Sequence, residues 1–159
     1  MARKSLRHLE CAVANTAEIV SDAWVALILR DAFLGVRRFD DFVSDLGIAR
    51  NILADRLDRL IEAGVLETRP YQERPLRHDY RLTEKGKDLF DVLMTLWSYG
   101  ERWDPPAGSN RQRAIHTGCG HVAEAVAHCG HCGERLIWRD VRIEPGLPVV
   151  AARSIAAGA

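Results

Sequence analysis

The feature that most restricts the fold is a pair of short helical patterns separated by a very short turn. Apolar residues of the first pattern recur at i, i+3, i+4 and i+7, and those of the second share one helix face. These positions are Phe39, Phe42, Val43 and Leu46, followed by Leu53, Leu57, Leu60 and Ile61. Gly47 ends the first pattern, and only Ile48 and Ala49 precede the second. Two short helices joined by a glycine-containing turn predict a helix-turn-helix motif.

The segments on either side of this motif extend it to a domain. Before it, residues 24–34 are apolar nearly all round, which predicts a helix buried among other elements. After it, the period changes at Val65 from helical to alternating, and residues 65–69 and 76–82 are predicted strands around a polar turn. The sequence therefore predicts a mainly α fold with a small β-wing (α+β), that is, a winged helix-turn-helix domain.

A long last helix is expected after the wing. Thr83 is a suitable N-cap, and an apolar stripe follows it. The stripe consists of Leu89, Leu93, Leu96, Trp97 and Gly100. Because this helix has more apolar surface than a small winged domain can cover, we expect a homodimer, with Leu6 and Leu9 also in the interface.

Composition limits the partners and the compartment. The 159 residues include 22 basic and 22 acidic side chains, so the net charge is zero and any nucleic-acid surface must be a local patch. No apolar run approaches the roughly 20 residues of a membrane span, and residues 1–10 lack the apolar core of a secretory signal. A cytoplasmic protein with no membrane partner is expected. The sequence contains no phosphate-binding loop, dinucleotide fingerprint or catalytic constellation, so no enzyme is expected.

Candidate DNA-reading residues lie at the start of the second helix and on the wing. Arg50 and Asn51 open that helix, the end that enters the major groove in this motif. Arg pairs bidentately with guanine, and Asn with adenine. Arg74 and Arg77 lie near the tip of the wing and are suited to phosphate or minor-groove contacts. The alternative for both sets is an ordinary solvated surface, since acidic residues alternate with the arginines of the wing.

The C-terminal segment 114–145 concentrates metal-ligand residue types, with three of the four cysteines and four of the six histidines. Two pairs, each followed by glycine, are separated by nine residues: His116-x2-Cys119 and Cys129-x2-Cys132. Tetrahedral zinc is commonly held by four N and S ligands on two such turns. This spacing predicts a zinc-ribbon-like module with one zinc per chain. The alternatives are free thiols, a module that has lost its metal, or His121, His128 or His131 in place of His116.

The remaining cysteine, Cys11, lies at the expected start of the first helix, near Arg7 and His8. Positive charge and a helix N-terminus favour a reactive thiolate, so Cys11 is a candidate redox sensor. The alternative is a small buried apolar residue.

Many short stretches between residues 9 and 104 fit one known pattern. They are Cys11, residues 24–30, 35–39, 46–53, 56–57, 60 and 62–64, then Pro75, Arg77, Tyr80, Leu82, Thr83, Gly86 and Trp103. Together they resemble the HxlR family of bacterial winged-helix regulators. The resemblance implies a homodimer in which one helix reads the major groove of DNA and the wing touches the backbone or minor groove. Arg38, in the 35–39 stretch, is a further DNA-binding candidate. It also implies that Cys11 matches a position that certain members use as an oxidant or electrophile sensor.

The sequence predicts four segments: a winged helix-turn-helix DNA-binding and dimerisation domain (1–104), a linker (105–113), a zinc-ribbon-like module (114–145) and a flexible tail (146–159). No internal repeat is evident in the residues. The predicted function is a sequence-specific transcriptional regulator that binds an inverted-repeat operator in double-stranded DNA as a homodimer, with zinc as cofactor. The alternative is a winged-helix or zinc-ribbon protein-interaction module that does not read DNA. No residue pattern identifies an effector.

Overall fold

The computed structural model of the chain describes residues 5–107 and 112–142. A short 3-10 turn at Arg7–Leu9 precedes four helices, two strands and two further helices. They are α1 (Ala12–Val20), α2 (Ala23–Phe33), α3 (Phe39–Leu46), α4 (Arg50–Glu62), β1 (Leu66–Glu73), β2 (Leu76–Leu82), α5 (Glu84–Lys87) and α6 (Phe90–Trp103). The predicted fold class, a mainly helical chain with a two-stranded wing, is confirmed.

The chain divides into two compact units. We call Asn15–Leu93 the core unit, and Met1–Ala14 together with Met94–Ala159 the knuckle unit. The predicted tail (146–159) and residues 108–111 of the predicted linker lie outside the described residues. The predicted segment boundaries stay predictions.

The hydrophobic centre of the core unit surrounds α2. One face of α2 is buried at i, i+3, i+4 and i+7, through Val25, Ile28, Leu29 and Ala32. The predicted inner faces of the next two helices pack against it. The buried side chains are Phe42 from α3 and Leu53, Leu57 and Leu60 from α4, joined by Ile48, Val65, Leu66 and Leu89. The rotation of α4 is therefore fixed by its own apolar stripe.

The turn between α3 and α4 depends on Gly47. Its φ of +61° is left-handed, and its N–H donates to the Val43 carbonyl at 3.0 Å. Ile48 is then buried at 3% exposure and anchors the turn to the core. These two contacts set the direction in which α4 leaves the turn.

The wing is an antiparallel pair whose register runs from Leu66 opposite Leu82 to Glu73 opposite Leu76. The first strand is longer than the predicted 65–69, because a register shift between Pro70 and Gln72 lets the strand continue past a proline. Close to the helix-turn-helix, the Tyr80 N–H donates to the Arg37 carbonyl at 2.7 Å. This bond ties the wing to the residues that precede α3.

The predicted long last helix is two helices. Thr83 is the N-cap as predicted, because its Oγ1 accepts the Gly86 N–H at 3.0 Å, but α5 ends at Lys87. Thr83 Oγ1 also donates to the Gly64 carbonyl at 2.7 Å, and Leu89 is buried in the core. These contacts hold α5 against the rest of the core unit, and a second helix, α6, begins at Phe90.

No single helix within residues 5–107 and 112–142 is long and apolar enough to cross a membrane. In the same residues, α1 and α2 taken together reach the required length and composition, but they are bent by 79° at the break between them.

Candidate nucleic-acid interface

The first turn of α4 presents two of the predicted DNA-reading residues to solvent. Arg50 and Asn51 are both exposed, because Leu53 and the residues in register with it face the core. The exposed ridge that continues from Asn51 is acidic, through Asp55, Asp58 and Glu62. Phosphates are repelled by such a ridge, so the N-terminal turn of α4 is the part that suits a DNA groove.

An open cleft of about 440 Å³ lies between this turn and the wing. On one side it is lined by residues at and after the start of α3 and by the start of α4, and on the other by the wing. The lining residues are Arg38, Phe39, Asp40, Asp41, Arg50, Tyr71, Leu76, Arg77, His78 and Tyr80. The cleft therefore joins three of the five predicted DNA-contacting arginine and asparagine residues: Arg38, Arg50 and Arg77.

Aromatic rings orient two of these arginines. The Arg50 guanidinium lies over the Phe39 ring at 4.8 Å from the centroid, and Arg38 lies over Tyr71 at 4.7 Å. Arg50 Nη1 also lies 2.7 Å from Asp40 Oδ1, in a pair whose side chains are 65% and 66% exposed. Both guanidiniums thus stack on aromatic rings at the cleft.

The other two predicted residues flank the cleft and do not line it. Asn51 lies one residue beyond Arg50 on α4, and Arg74 lies at the turn of the wing, where its carbonyl accepts Gln72 Nε2 at 2.9 Å. Both are exposed. The structure therefore places all five predicted residues on the exposed surface of the helix-turn-helix and wing, three of them lining one cleft.

Several cleft residues were not predicted from the sequence: Phe39, Asp40, Tyr71 and His78. Phe39 is assigned to the core by its helical spacing, and the stacking of Arg50 on it depends on the angle between α3 and α4. Tyr71 falls at the strand irregularity between Pro70 and Gln72, where alternation no longer predicts which face a side chain occupies.

The position of α4 is secured by an ion pair with the start of α2. Asp22 caps α2 by accepting the N–H groups of Trp24 and Val25 at 3.0 and 3.3 Å, and its second oxygen accepts Arg56 Nε at 3.0 Å. Burial lowers the pKa of Arg56, but its bonds and ion pairs with Asp55 and Asp22 outweigh that effect and raise the pKa above its usual value.

The four predicted metal ligands come together in pairs. His116 Nδ1 lies 3.2 Å from Cys119 Sγ. Cys129 receives hydrogen bonds from the backbone of Cys132 and His131 and from the Cys132 side chain, which lower the pKa of the Cys129 thiol. Among residues 5–107 and 112–142, no group of three or more His, Cys, Asp or Glu side chains is placed to hold a metal ion. In chemistry, three sulfurs and one imidazole fit zinc.

Cys11, the predicted redox sensor, directly precedes α1 and is partly exposed. None of the four cysteines is in a disulfide.

Comparison with known proteins places this interface in context. The pattern of the HxlR-like helix-turn-helix family matches residues 19–107. The uncharacterized HTH-type transcriptional regulator Rv3095 of Mycobacterium tuberculosis is 44% identical over 135 residues, which cover 84% of this chain and 85% of that protein.

Solved structures show the same fold. The crystal structure of PA1607, described as a candidate transcription factor, has a TM-score of 0.79 at 34% identity and covers 89% of this chain and 99% of that one. The reduced form of the transcriptional regulator YodB from B. subtilis has a TM-score of 0.52 at 26% identity, covering 62% of this chain and 98% of that one. Rv3095 and YodB are both named as transcriptional regulators, a class of protein that is not enzymatic. The chain therefore belongs to the HxlR-like helix-turn-helix family of DNA-binding transcriptional regulators.

Proposed function

We propose that this regulator binds an inverted-repeat operator in double-stranded DNA as a homodimer. In this proposal the first turn of α4 enters the major groove and the wing contacts the adjacent backbone. The observation that carries the proposal is the cleft, which joins Arg50 at the start of α4 to Arg38 and Arg77. Since the net charge of the chain is zero, a DNA surface must be a local patch, and these three arginines form one beside Asp40 and Asp41.

The two sets of residues have different roles in this proposal. Arg50 and Asn51 lie at the end of α4 that reaches base edges, so they specify sequence. Arg74 and Arg77 lie on the wing and contact phosphates, so they add affinity without discrimination.

The test is a titration of each alanine variant against operator and scrambled duplexes at several salt concentrations. Arg50→Ala or Asn51→Ala should cost about 1–3 kcal/mol on the operator and little on scrambled DNA. Arg74→Ala or Arg77→Ala should weaken both duplexes alike and reduce the salt slope by about one unit for each phosphate that is no longer neutralised. Lys87→Ala is the control, because Lys87 lies on α5, where it pairs with Glu84, and does not line the cleft.

If the Arg50 and Asn51 variants bind the operator like the parent chain, α4 does not read bases and the proposal fails. Binding to a protein partner with an affinity that does not fall steeply as salt concentration rises would instead favour the interaction-module alternative. The steep fall comes from counterion release, which belongs to DNA binding.

The homodimer is supported by the exposed face of α6. Leu96, Tyr99 and Trp103 follow at i, i+3 and i+7 and are 52%, 67% and 70% exposed. The predicted stripe differs from this one, since Leu89 is buried in the core unit. Near the N-terminus, Leu9 and Val13 are also exposed, at 40% and 76%. Covering such apolar faces against a symmetry mate is the usual outcome for a two-fold dimer.

Sedimentation at micromolar concentration tests this interface. Leu96→Glu should shift the chain towards monomer, because it buries a charge in the apolar face. Lys87→Glu, which also adds negative charge but lies on α5, should leave the dimer intact. If the parent chain is a monomer, the proposed dimer is wrong. So is the proposed operator with two half-sites about 10 base pairs, or a multiple, apart.

We also propose Cys11 as the thiol through which an oxidant would act. YodB, which shares the fold, has been solved both reduced and after diamide treatment. Release of DNA on diamide treatment should be lost in Cys11→Ser. Release that persists in this variant would place the sensor elsewhere.

A further inference from the structure

The knuckle unit contains two turns with the same backbone hydrogen bonds. Residues 114–123 and 127–136 share only three of ten residues in register, yet the same three backbone bonds close both turns, at an offset of 13 residues. In the first copy they are His116 N to His121 O (2.9 Å), Gly120 N to His116 O (2.8 Å) and Ala123 N to Ala114 O (2.8 Å). In the second they are Cys129 N to Glu134 O, Gly133 N to Cys129 O and Leu136 N to Ala127 O, each 2.8 Å.

The details of the two copies agree as well. Each turn is flanked by one antiparallel bridge, Ile115 with Val122 and His128 with Arg135. Each ends on a left-handed glycine, with φ of +74° at Gly120 and +75° at Gly133. We call these turns the two knuckles. The repeat was not evident in the residues, because the turn positions carry it and the side chains between them differ.

The repeat selects the metal-facing positions. Positions one and four of the turn are His116 and Cys119 in the first knuckle, and Cys129 and Cys132 in the second. In each knuckle these two side chains approach each other, with 3.2 Å between His116 Nδ1 and Cys119 Sγ. Two ligands of one tetrahedral zinc lie about 3.5 Å apart for Zn–S and Zn–N bonds of about 2.3 and 2.0 Å. The spacing within the first knuckle is close to that of a half-site.

The same register excludes the other three histidines of this segment. His121 corresponds to Glu134, His128 to Ile115 and His131 to Gly118, none of them at position one or four. His121 Nδ1 bonds the Cys119 carbonyl at 2.9 Å, and His128 Nδ1 bonds the Gly133 carbonyl at 3.0 Å, so both rings are held by their own turns.

Gly118 makes room for the imidazole at position one. A Cβ at Gly118 would lie 3.0 Å from His116 Cε1, tighter than ordinary van der Waals contact. The ring of His116 therefore folds across a residue that has no side chain. The second knuckle, whose position one is a smaller cysteine, has His131 at the corresponding place.

We propose that His116, Cys119, Cys129 and Cys132 bind one Zn²⁺ per chain, each knuckle being a half-site that forms before the ion binds. In the described residues these side chains form no group of three or more, so in this proposal the two knuckles would have to come together around the ion. The three thiols bind as thiolates and release their protons to solvent. Binding of this kind is commonly coupled to ordering of a small module.

The ion would also secure a contact with α6. The segment between the knuckles bonds this helix, with Ala125 N donating to Ser98 Oγ at 2.8 Å and Glu124 pairing with Arg102. Closing the knuckles at both ends of this segment restricts it, so metal loading should stabilise its contact with the helix that carries Leu96, Tyr99 and Trp103.

The experiment is elemental analysis of the full chain, purified without chelator and then dialysed with excess zinc. About one zinc per chain is expected. His116→Ala and Cys132→Ser should lose most of it, whereas His121→Ala, the matched histidine control, should keep it. With Co²⁺ in place of zinc, the parent and His121→Ala should show thiolate-to-metal charge-transfer absorption, and His116→Ala should show a changed spectrum.

Thiol reactivity provides a readout that does not depend on DNA binding. With metal bound, one of the four cysteines, Cys11, should react freely with a thiol reagent, and all four should react after chelation. Less than about 0.1 equivalent of zinc would overturn the proposal. So would equal loss in His116→Ala and His121→Ala, or half an equivalent per chain, which would mean a site shared between two chains.

Discussion

Arg50 Nη1 lies 2.7 Å from Asp40 Oδ1, so the arginine that we propose to read bases is paired within its own chain. Asp40 lies in the first turn of α3, and its carboxylate occupies a place beside Arg50 that a DNA acceptor would take. Both side chains are largely exposed, so the pair contributes on the order of 0–1 kcal/mol. In the proposed mode of binding, a DNA acceptor would have to replace Asp40 beside Arg50.

Removing this competitor should strengthen DNA binding. Asp40→Asn leaves the shape of the side chain and removes its charge, and we expect binding about two- to five-fold tighter at low salt. Asp41→Asn is the matched control, since it removes an equal charge from the same cleft without breaking the pair. Equal gains in both variants, measured by fluorescence anisotropy, would show a net-charge effect and not release of Arg50.

Asp22 should contribute to the stability of the fold in two ways, as the cap of α2 and as the partner of Arg56. Asp22→Ala removes both the cap of α2 and the partner of Arg56, whose side chains are 18% and 20% exposed, and should cost about 1–2 kcal/mol of unfolding free energy. Asp22→Asn keeps a capping oxygen and should cost less. Urea denaturation measures the difference.

The matched control for Asp22 is Asp55, the second partner of Arg56. Its side chain is 57% exposed, so Asp55→Ala should change the unfolding free energy by less than about 0.5 kcal/mol. If Asp55→Ala lowers the unfolding free energy as much as Asp22→Ala does, the position of Asp22 at the start of α2 adds no stability beyond that of an exposed ion pair.

The helix-turn-helix could be predicted because its signals are local. Leu53, Leu57 and Leu60 lie on one face by helical spacing alone, and Gly47 marks the turn by its backbone freedom. Once the stripe faces the core, the outward direction of Asn51 follows. These signals do not depend on the rest of the fold, which explains why α3, α4 and the exposed positions of Arg50 and Asn51 agree with the structure.

Contacts between elements could not be predicted in the same way. The i, i+4 spacing of Asp55 and Arg59 predicts a pair, but in the structure Asp55 pairs with Arg56. Arg56 is in place because Asp22, 34 residues earlier, holds it at the start of α2. Similarly, helical periodicity does not reveal that Gly86 of α5 packs directly against the Val65 carbonyl, or that the helix breaks between Lys87 and Phe90.

We expect the phenol of Tyr80 to make the protein less stable at alkaline pH. Burial raises the pKa of Tyr80, and the negative charge of Asp58 raises it further. The folded state therefore holds the phenol proton above pH ~10, where the unfolded chain releases it. The resulting stability is present below that pH and is lost as the pH rises through the folded pKa.

Denaturation at pH ~8 and ~10.5 measures this effect. Tyr80→Phe has no phenol to ionise, so it should lose less stability between the two values than the parent chain. Tyr99→Phe, at a site that is 67% exposed, should follow the parent. Identical alkaline losses in all three chains would assign the effect to other groups.

Gly86 should tolerate no side chain, because α5 packs directly on the chain that leaves α4. A Cβ at this position would lie 2.2 Å from the Val65 carbonyl oxygen and 3.1 Å from Leu82 Cδ2. Since the first neighbour is backbone, relief requires α5 to move, and Gly86→Ala should cost about 1–3 kcal/mol of unfolding free energy. Gly100→Ala is the control: its Cβ would meet nothing within 4 Å, and alanine favours helix α6 by up to about 1 kcal/mol. Measured by thermal denaturation, the Tm of Gly86→Ala should be lower than that of the parent chain, and the Tm of Gly100→Ala should be equal or higher. An unchanged Tm for Gly86→Ala would contradict the close packing of α5 on Val65.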